Sequence, residues 1–430
     1  MVRKLIIGFF IMVSLSGLTS AKTEERATLN TDCVISGGGP AGLMLGYLLA
    51  REGVDVTILE KHKDFLRDFR GDTVHPSTLE VFKELGLLDE LLNCPHQKTE
   101  AVSIEFEGKE YQVADFSSLS THCKYIAMMP QWDFLDFIAE QGAKFPNFHL
   151  LRSTKSEDLI EDQDGKVMGI RAENSSGPLE VYAQVSVAAD GRWSKLRQKS
   201  GLELIDLGAP IDVFWMRLPK SPSMREAQSG AVVNAHGFLV KINREDYWQC
   251  AMLHPKGDAD LIRAQGIEKF REKIVLIDPE QQYSVSHLQS WNDVKLLDVQ
   301  VNHLKKWWRP GFISIGDAAH AMSPVGGVGI NLAIQDAIAA ARILAKPLKS
   351  KSLSNDHLAK IQKRREWPAK LTQKAQVNIH NRFLYPLLTK KSAMKPPLFL
   401  RLLANLPFLR WLPAYGVGVG AQPEHWAPSH

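Results

Sequence analysis

The chain has 430 residues, about three times the size of a common single domain, so we expect two or three structural units. With 44% hydrophobic and 23% charged residues it has a globular composition, and its four cysteines without a C-x-x-C pair exclude a disulfide scaffold and a cysteine-based zinc site. The formal net charge is +4, but residues 346–395 contain 13 Lys/Arg and 2 Asp/Glu, so the positive charge belongs to a C-terminal stretch and not to a nucleic-acid site.

An apolar segment precedes the first predicted domain. Arg3 and Lys4 are followed by a hydrophobic run to residue 18 and by TSA, a small-residue sequence that resembles a cleavage site. The run is shorter than the ~20 residues that a spanning helix needs. A cleaved leader, a weak membrane anchor and an upstream extension all remain open for residues 1–28. We predict a cytoplasmic protein, with membrane association through this segment and export both left open.

A glycine-rich turn follows the first predicted strand, at residues 31–36, and precedes an apolar helical pattern at 43–50. The turn reads GGGPAG, and its candidate binding residues are Gly37, Gly39, Pro40, Ala41 and Gly42. The three glycines at the G-x-G-x-x-G positions provide a tight turn, close backbone approach to a pyrophosphate and close packing of the helix on the strand. The helix N-terminus offers free amides to the anion.

An acidic residue follows the second predicted strand, at residues 54–59. Glu60 stands eighteen residues after Gly42, where a carboxylate can accept hydrogen bonds from ribose hydroxyls, and Lys61 comes next. Because strand, helix, strand and acid all occupy the required places, the pattern favours dinucleotide binding over a purely structural turn. It does not separate FAD from NAD.

Two further predicted strands end in acidic turns. The strand at 185–189 leads into Asp190 and Gly191, and the strand at 312–315 leads into Gly316 and Asp317. A glycine-rich loop then opens a helix at 332–345, and its candidate residues are Pro324, Gly326, Gly327, Val328, Gly329, Ile330 and Asn331. A carboxylate beside such a loop suits a polyol hydroxyl, and the loop amides can face a polar ring edge. The alternative is that Asp317 caps a helix in a surface loop.

The three motifs GGGPAG, ADGRWSKLR and GDAAHAMSPVGGVGINLAIQDA occur in this order and spacing in one family. The chain resembles the single-component (group A) FAD-dependent monooxygenases, which include p-hydroxybenzoate hydroxylase and the ubiquinone-biosynthesis hydroxylases. The resemblance covers residues 31–345. It implies an α/β fold with a Rossmann-like FAD-binding domain, an inserted mixed-sheet substrate domain and a helical C-terminal region.

We expect four units with the following boundaries: a leader or anchor at 1–28, a discontinuous FAD-binding domain at 29–101, 123–200 and 295–345, a substrate domain at 102–122 and 201–294, and a helical region at 346–430. Alternating runs at 102–113 and within 201–294 predict a mixed or antiparallel sheet over the reactive face of the flavin. The residues that either line an apolar pocket there or form plain core are Phe214, Trp215, Met216, Trp248 and Met252.

The resemblance also implies roles for individual residues. The first motif holds the ADP half of FAD, and Glu60 binds the adenosine ribose. Arg70 and Gln131 contact FAD, and Asp190 is linked to both FAD and NAD(P)H. Asp317 binds the ribitol chain, and the backbone of residues 329–331 faces the pyrimidine edge of the flavin. The residues expected near the flavin ring are Thr73, His75 and Pro324.

The implied chemistry is reduction of FAD by NAD(P)H, capture of dioxygen as a flavin C4a-hydroperoxide, and oxygen transfer to an apolar, aromatic or polyketide-like molecule. No second G-x-G-x-x-G follows Asp190, so NAD(P)H is expected as a transient co-substrate. No side chain is assigned as catalytic: His320 favours a structural role, and His75 is left open. The alternatives are a reductase of the geranylgeranyl-reductase type, a halogenase, which the absence of W-x-W-x-I-P disfavours, and a non-catalytic membrane-associated flavoprotein.

The last ninety residues predict a helical region. Residues 355–383 are helix-rich, with Pro368 expected to break or kink the helix. Residues 397–413 (PLFLRLLANLPFLRWLP) are amphipathic. They suit either docking on an acidic membrane surface or packing on the domain with a solvated basic face, and the packed helix is the preferred interpretation.

Overall fold

The computed structural model describes residues 26–66, 72–221, 229–244, 246–389 and 395–426. Most of the predicted leader and the predicted FAD contact Arg70 lie outside these ranges. The helices in the described residues are α1 (Pro40–Arg51), α2 (Pro76–Glu84), α3 (Leu88–Leu92), α4 (Gln131–Ala143), α5 (Lys195–Lys199), α6 (Ala259–Ala264), α7 (Ile267–Ile277), α8 (Gly329–Lys349), α9 (Asn355–Ile379), α10 (Tyr385–Thr389), α11 (Leu398–Asn405) and α12 (Trp411–Gly418).

The strands of the described residues form several sheets. They are β1 (Ala27–Ser36), β2 (Val56–Leu59), β3 (Thr73–Val74), β4 (Gln97–Thr99), β5 (Ala101–Phe106), β6 (Lys109–Asp115), β7 (Ile126–Met128), β8 (Phe148–Leu151), β9 (Lys155–Glu161), β10 (Val167–Asn174), β11 (Gly177–Ala188), β12 (Leu204–Asp206), β13 (Ile211–Pro219), β14 (Gly230–Asn234), β15 (Gly237–Arg244), β16 (Tyr247–Pro255), β17 (Val294–Leu297), β18 (Asn302–Leu304), β19 (Trp308–Arg309), β20 (Phe312–Ser314) and β21 (His320–Ala321).

The first sheet contains five parallel strands in the order β20-β11-β1-β2-β8. The buried ends of these strands are continuous apolar runs, as parallel strands covered on both faces require. Helix α1 is buried along almost its whole length and packs against α8, because its leucines meet the sheet on one side and the alanines of α8 on the other. The predicted α/β fold class is therefore confirmed.

The register of this sheet brings the three motifs together. Ser36 pairs with Leu59 on one side and Ala188 on the other, and Ala188 pairs with Ser314. Because the strands are parallel, their carboxyl ends meet at one edge of the sheet, where ligands bind in open α/β folds. The turns that follow these strands, with Gly37, Glu60, Asp190 and Asp317, thus lie side by side.

The second sheet has the order β17-β13-β16-β15-β14-β5-β6, with one parallel pair, β14 and β5. The β5–β6 hairpin turns at Glu107 and Gly108, whose positive φ angles of 48° and 76° are those that a tight two-residue hairpin requires. One face of this sheet packs on α6 and α7, and the other packs on α10 and α11 and carries Val325 of the third motif. The second face is therefore the one toward the flavin motifs.

The predicted pocket residues divide between these two faces. Phe214, Met216, Trp248 and Met252 are fully buried in the core against α7, so of the two alternatives plain core applies to them. Alternation along a strand places neighbours on opposite faces, and Trp215 lies half-buried on the face toward the flavin motifs.

The C-terminal region packs onto the first sheet through α9. This helix continues through Pro368 without a break, contrary to one of the two expectations for that residue. Pro368 is buried, and the packing of α9 along α8 offsets the hydrogen bond that the proline removes. Within the described residues, one helical stretch, Val325–Lys349, is long and apolar enough to span a membrane, and most of it is buried inside the fold as a core helix.

Candidate active site

The first motif forms a cradle at the N-terminus of α1. Gly37 has a φ of 104°, and a Cβ there would lie 2.5 Å from the carbonyl oxygen of Ala189, while a Cβ on Gly42 would overlap the carbonyl of Gly37. These two glycines allow backbone to pack on backbone. A Cβ on Gly39 would meet no protein atom within 4 Å, so the space in front of this residue is open, as a pyrophosphate beside it requires.

Glu60 is buried with its carboxylate directed back at the cradle. Its Oε2 accepts a hydrogen bond from the amide of Gly38 at 2.8 Å, and its Oε1 accepts one from the amide of His62 at 2.9 Å. A carboxylate has about four acceptor positions, so it can accept from ribose hydroxyls in addition to backbone amides. Lys61, the next residue, is exposed.

The second motif contributes a buried aspartate and two arginines. Asp190 Oδ2 accepts from the amide of Lys195 at 3.0 Å, and burial raises the pKa of this carboxyl; the turn continues at Gly191 with a φ of 86°. Arg197 donates to the carbonyls of Arg192 at 2.7 Å and Ala318 at 3.2 Å, so it joins the second motif to the third. Within the described residues, Asp190 Oδ1 and Arg192 Nη1 are buried without a hydrogen-bond partner.

The third motif presents a carboxylate and a helix N-terminus. Asp317 is partly exposed and lies 3.4 Å from Arg192 Nη2. Gly326 and Gly327 turn with φ angles of 80° and 64°, next to the half-buried Pro324 and the buried Val328. Helix α8 begins at Gly329, three residues before the predicted start, so the amides of residues 329–331 belong to its first turn and have no acceptor within the helix.

The side chain of Asn331 connects this loop to residues 73–78. Its Oδ1 accepts from the amide of His75 at 2.9 Å and from Thr78 Oγ1 at 2.7 Å, and its Nδ2 donates to the carbonyl of Thr73 at 3.2 Å. Thr73 Oγ1 in turn donates to the carbonyl of Gly327 at 2.9 Å. The sequence predicted a role for the backbone of Asn331, whereas the contribution of its side chain was missed.

His75 is fully buried at the start of α2. Its Nδ1 lies 2.7 Å from the carbonyl oxygen of Val417, so Nδ1 carries the proton, and Nε2 has no partner among the described residues. Burial lowers the pKa of His75 to about 4, so the ring is neutral at physiological pH. A neutral ring under α12 is not a proton donor to the flavin side, which favours a structural role.

A buried network of polar side chains lies behind the third motif and was not predicted from the sequence. Asp336 accepts from the amide of Gly316 at 3.0 Å, from His320 Nε2 at 2.5 Å and from Arg365 Nε at 3.0 Å, and Arg365 also pairs with Glu424 at 3.2 Å. His320, Arg365 and the Gly316 amide hold the pKa of Asp336 low against the effect of burial. The sequence feature that indicates this network is the single acidic residue, Asp336, within the apolar run NLAIQDAIAAA.

A second group, the junction cluster, links the segment before β3 and the start of α4 to the second sheet; it consists of Asp72, Gln131, Arg244 and Gln249. Of these residues only Gln131 was predicted, as an FAD contact. Asp72 lies 2.5 Å from Arg244 Nη2 of β15, with both side chains about 5% exposed, and it accepts from the amide of Gln131 at 3.2 Å. Arg244 Nε donates to Gln249 Oε1 at 3.4 Å. Burial raises the pKa of Asp72, although Arg244, Gln131 and Gln249 oppose the shift.

The site residues fit FAD. Open space at Gly39, the acceptor capacity of Glu60, the unpartnered atoms of Asp190 and Arg192, and the free amides of α8 supply a pyrophosphate site, a ribose site and a polar ring edge along one sheet edge. The third-motif loop contacts residues 73–75, and one face of the second sheet is turned toward that loop. This arrangement defines a flavin-dependent oxidoreductase.

Residues 30–375 match the family described as "FAD binding domain", and the chain belongs to this family. It is 31% identical to 6-methylpretetramide 4-monooxygenase of Streptomyces rimosus over 81% of this chain and 83% of that protein. It is 24% identical to para-nitrophenol 4-monooxygenase of Pseudomonas sp. (strain WBC-3), covering 74% of this chain and 78% of that protein. FAD as cofactor and the FAD-dependent monooxygenase class, both implied by the motifs, are confirmed.

The fold is shared with a solved structure. The crystal structure of PqsL from P. aeruginosa in complex with 2-aminobenzoylacetate superposes with a TM-score of 0.71 at 22% identity, over 84% of this chain and 98% of that one. This likeness supports the architecture of the two sheets and the C-terminal helices.

Proposed function

We propose that this protein uses NAD(P)H and dioxygen to hydroxylate an apolar, aromatic or polyketide-like small molecule. The observation that carries the proposal is the face of the second sheet toward the flavin motifs. Trp215 and Val240 lie there half-buried, in the same apolar cluster as Val325 of the third motif. An apolar wall opposite a flavin edge suits a flat, weakly polar substrate. The two relatives, a 6-methylpretetramide 4-monooxygenase and a para-nitrophenol 4-monooxygenase, support a substrate of this kind.

The polar end of the same face gives the substrate an orientation. Residues 238, 240, 242 and 244 of β15 share one face by alternation, so the face changes from apolar to charged as it reaches Arg244. Asp72 and Gln249 neutralise and position that guanidinium. We infer that a phenolic or carbonyl oxygen of the substrate lies toward this cluster and the carbon to be oxygenated lies toward the ring.

The protein residues bind, position and exclude water. The cradle of the first motif and Glu60 would hold the ADP half of FAD, Asp190 and Asp317 would hold its central part, and the amides that begin α8 would face the ring. Bound FAD would supply hydride acceptance from NAD(P)H and activation of dioxygen. The second sheet and the Asn331 contacts keep bulk water from that place, which limits wasteful release of peroxide.

The test measures oxidation of NADH and NADPH, oxygen uptake and peroxide together, across a panel of phenols, polyketides and quinone precursors. Substrate-stimulated oxidation, little peroxide and a product that has gained one oxygen atom support the proposal. A reduced product formed without oxygen indicates a reductase instead, and a folded, FAD-loaded protein that oxidises neither nicotinamide with any member of the panel contradicts an enzymatic role on these compounds.

A pair of tryptophans on opposite faces of the sheet provides a matched control. Trp215 faces the flavin motifs and Trp291 packs with the α7 core, and both are half-buried. We expect Trp215→Leu to raise KM and the peroxide fraction several-fold, and Trp291→Leu to change only stability. Equal effects of both variants on KM would place the substrate elsewhere.

A further inference from the structure

The C-terminal region has an unusual charge distribution. Residues 367–423 contain eight Lys/Arg and no Asp or Glu. Lys374, Arg382, Lys395 and Arg401 are exposed. A stretch of this length without a single acid presents one sign of charge to its surroundings.

Exposed apolar side chains are concentrated in the same stretch. Eight of the 21 exposed large hydrophobic residues in the described ranges fall within residues 398–415. They form what we call the C-terminal apolar surface: Leu398, Phe399, Leu402, Leu406, Phe408, Trp411, Leu412 and Tyr415. Single exposed apolar residues are ordinary, but a cluster of this kind marks an interaction site.

The C-terminal apolar surface lies on α11, on α12 and on the turn between them, and the opposite side of these helices is buried. Leu400 of α11 and Ala414 of α12 are completely buried, whereas Phe408 is 67% and Leu412 is 52% exposed. The prediction of a packed helix with a solvated basic face is therefore correct only in part: one side packs, but the other side is mainly apolar. The ring centroids of Phe399 and Phe383 lie 5.1 Å apart, so the surface continues toward the segment after α9, which carries the exposed Arg382.

We propose that the C-terminal apolar surface docks this protein on an anionic lipid membrane. Leucines with a tryptophan and a tyrosine suit the boundary between headgroups and acyl chains, and the lysines and arginines around them complement anionic headgroups. The helices α11 and α12 lie in the interface and do not span it, because eight residues each is far below the ~20 needed.

Charge complementarity favours a membrane over a second copy of this chain as the binding partner of this surface. A symmetric dimer through this surface would bring the same acid-free, positively charged stretch together twice. Repulsion between the two copies opposes that contact, whereas a bilayer that contains phosphatidylglycerol attracts it.

The docked surface lies next to the candidate active site. The carbonyl of Val417, near the end of α12, accepts the hydrogen bond from His75, and Gly326 of the third motif lies close to the Val417 side chain. Docking would therefore bring the loops of the candidate flavin site near the lipid phase, where apolar molecules accumulate. The docking proposal itself does not depend on the proposed hydroxylation.

Hydrogen exchange on the full-length, FAD-loaded protein tests the proposal locally. We expect residues 398–415 to become protected with vesicles of phosphatidylcholine containing about 30% phosphatidylglycerol. Protection should be weak with phosphatidylcholine alone and should fall at about 0.5 M salt. Vesicle binding without protection of 398–415 would mean that another segment, such as residues 1–25, makes the contact, and would overturn the proposal.

Matched variants test the same surface by vesicle co-sedimentation. Phe408→Asp with Leu412→Asp should lower partition at least about tenfold. The control is Leu261→Asp with Leu276→Asp on α6 and α7, because Leu261 is 67% and Leu276 is 53% exposed, as Phe408 and Leu412 are. Equal partition of the two double variants contradicts docking, as does protection of 398–415 that rises with protein concentration without lipid, which indicates self-association.

Discussion

The two ends of the candidate flavin site are built by different means. At the phosphate end, backbone packs on backbone: Gly37 and Gly42 need only the strand ends and the start of α1. At the ring end, side chains from distant segments fix the loop, with Asn331 bonded to the amide of His75 across 256 residues of chain and Asp336 bonded to Arg365 of α9. The conformation of the phosphate end therefore depends on local sequence, whereas the conformation of the ring end depends on contacts that form only in the completed fold.

The two buried carboxylates near the ring end, Asp336 and Asp72, differ in how well their partners stabilise the negative charge. Asp336 of α8 has three partners and a lowered pKa, so it is stably ionised behind the third motif. Asp72, just before β3, links that strand to β15 of the second sheet, and its pKa is raised because burial outweighs its partners. The link at Asp72 is therefore the less satisfied of the two.

The largest effect is expected from a pair of glycine variants at the phosphate end. Gly42→Ala places a methyl group against the carbonyl of Gly37 and should lower the free energy of unfolding by about 4 kcal/mol or more. Gly39→Ala meets no protein atom within 4 Å and has an ordinary φ of −81°, so its fold should survive while its methyl group occupies the space for FAD.

Denaturant unfolding of the apoprotein and FAD titration by flavin fluorescence separate the two variants. Gly39→Ala should unfold like the parent chain and bind FAD at least about tenfold more weakly. If Gly39→Ala instead binds FAD normally, the pyrophosphate does not approach this residue, and the phosphate end would have to be placed elsewhere.

At the ring end, Arg365→Met should cost about 3–5 kcal/mol of stability, because it leaves Asp336 and Glu424 as buried charges without their shared partner. We also expect faster FAD release, since Asp336 holds the amide of Gly316. Arg364→Met on the same helix is the control, because Arg364 is partly exposed and, among the described residues, pairs with Glu424. Equal losses in the two variants would show that Asp336 does not depend on Arg365.

Asn331→Ala should cost about 2 kcal/mol, because the amide of His75 and the hydroxyl of Thr78 lose a buried acceptor. Asn331→Asp keeps the acceptor and loses the donor to Thr73, so it should retain part of the stability and of the FAD affinity. Thermal unfolding and stopped-flow FAD release measure both. A full loss in Asn331→Asp and none in Asn331→Ala would contradict the acceptor role.

The sequence predicted the phosphate end better than the ring end for a physical reason. Gly37 and Glu60 stand directly after strands, so their positions follow from the parallel register alone. Asn331, Asp336 and Arg244 act through partners up to 256 residues away, and local patterns carry no information on which partner a side chain meets. For the aromatic side chains of the second sheet, the choice between pocket and core stayed open, because alternation separates two faces without saying which one faces the flavin.

The smallest expected effect is a difference in pH dependence between the two carboxylates. The raised pKa of Asp72 means that the folded state binds more protons than the unfolded state above the ordinary value of 3.8. Its contribution to stability, relative to Asp72→Asn, should therefore grow as pH falls from 7 toward 4. The lowered pKa of Asp336 gives the opposite sign, so its contribution relative to Asp336→Asn should decrease as pH falls through about 4.

Guanidinium unfolding of the parent chain and both asparagine variants, at several pH values between about 3 and 7, measures the two slopes, with differences of about 1 kcal/mol expected. Opposite slopes would show that the contact of Asp72 with the second sheet strengthens on protonation while the network behind the third motif weakens. Parallel slopes would mean that Arg244 keeps Asp72 ionised as firmly as Arg365 keeps Asp336, and the contact of Asp72 with the second sheet would then be as well satisfied as the network behind the third motif.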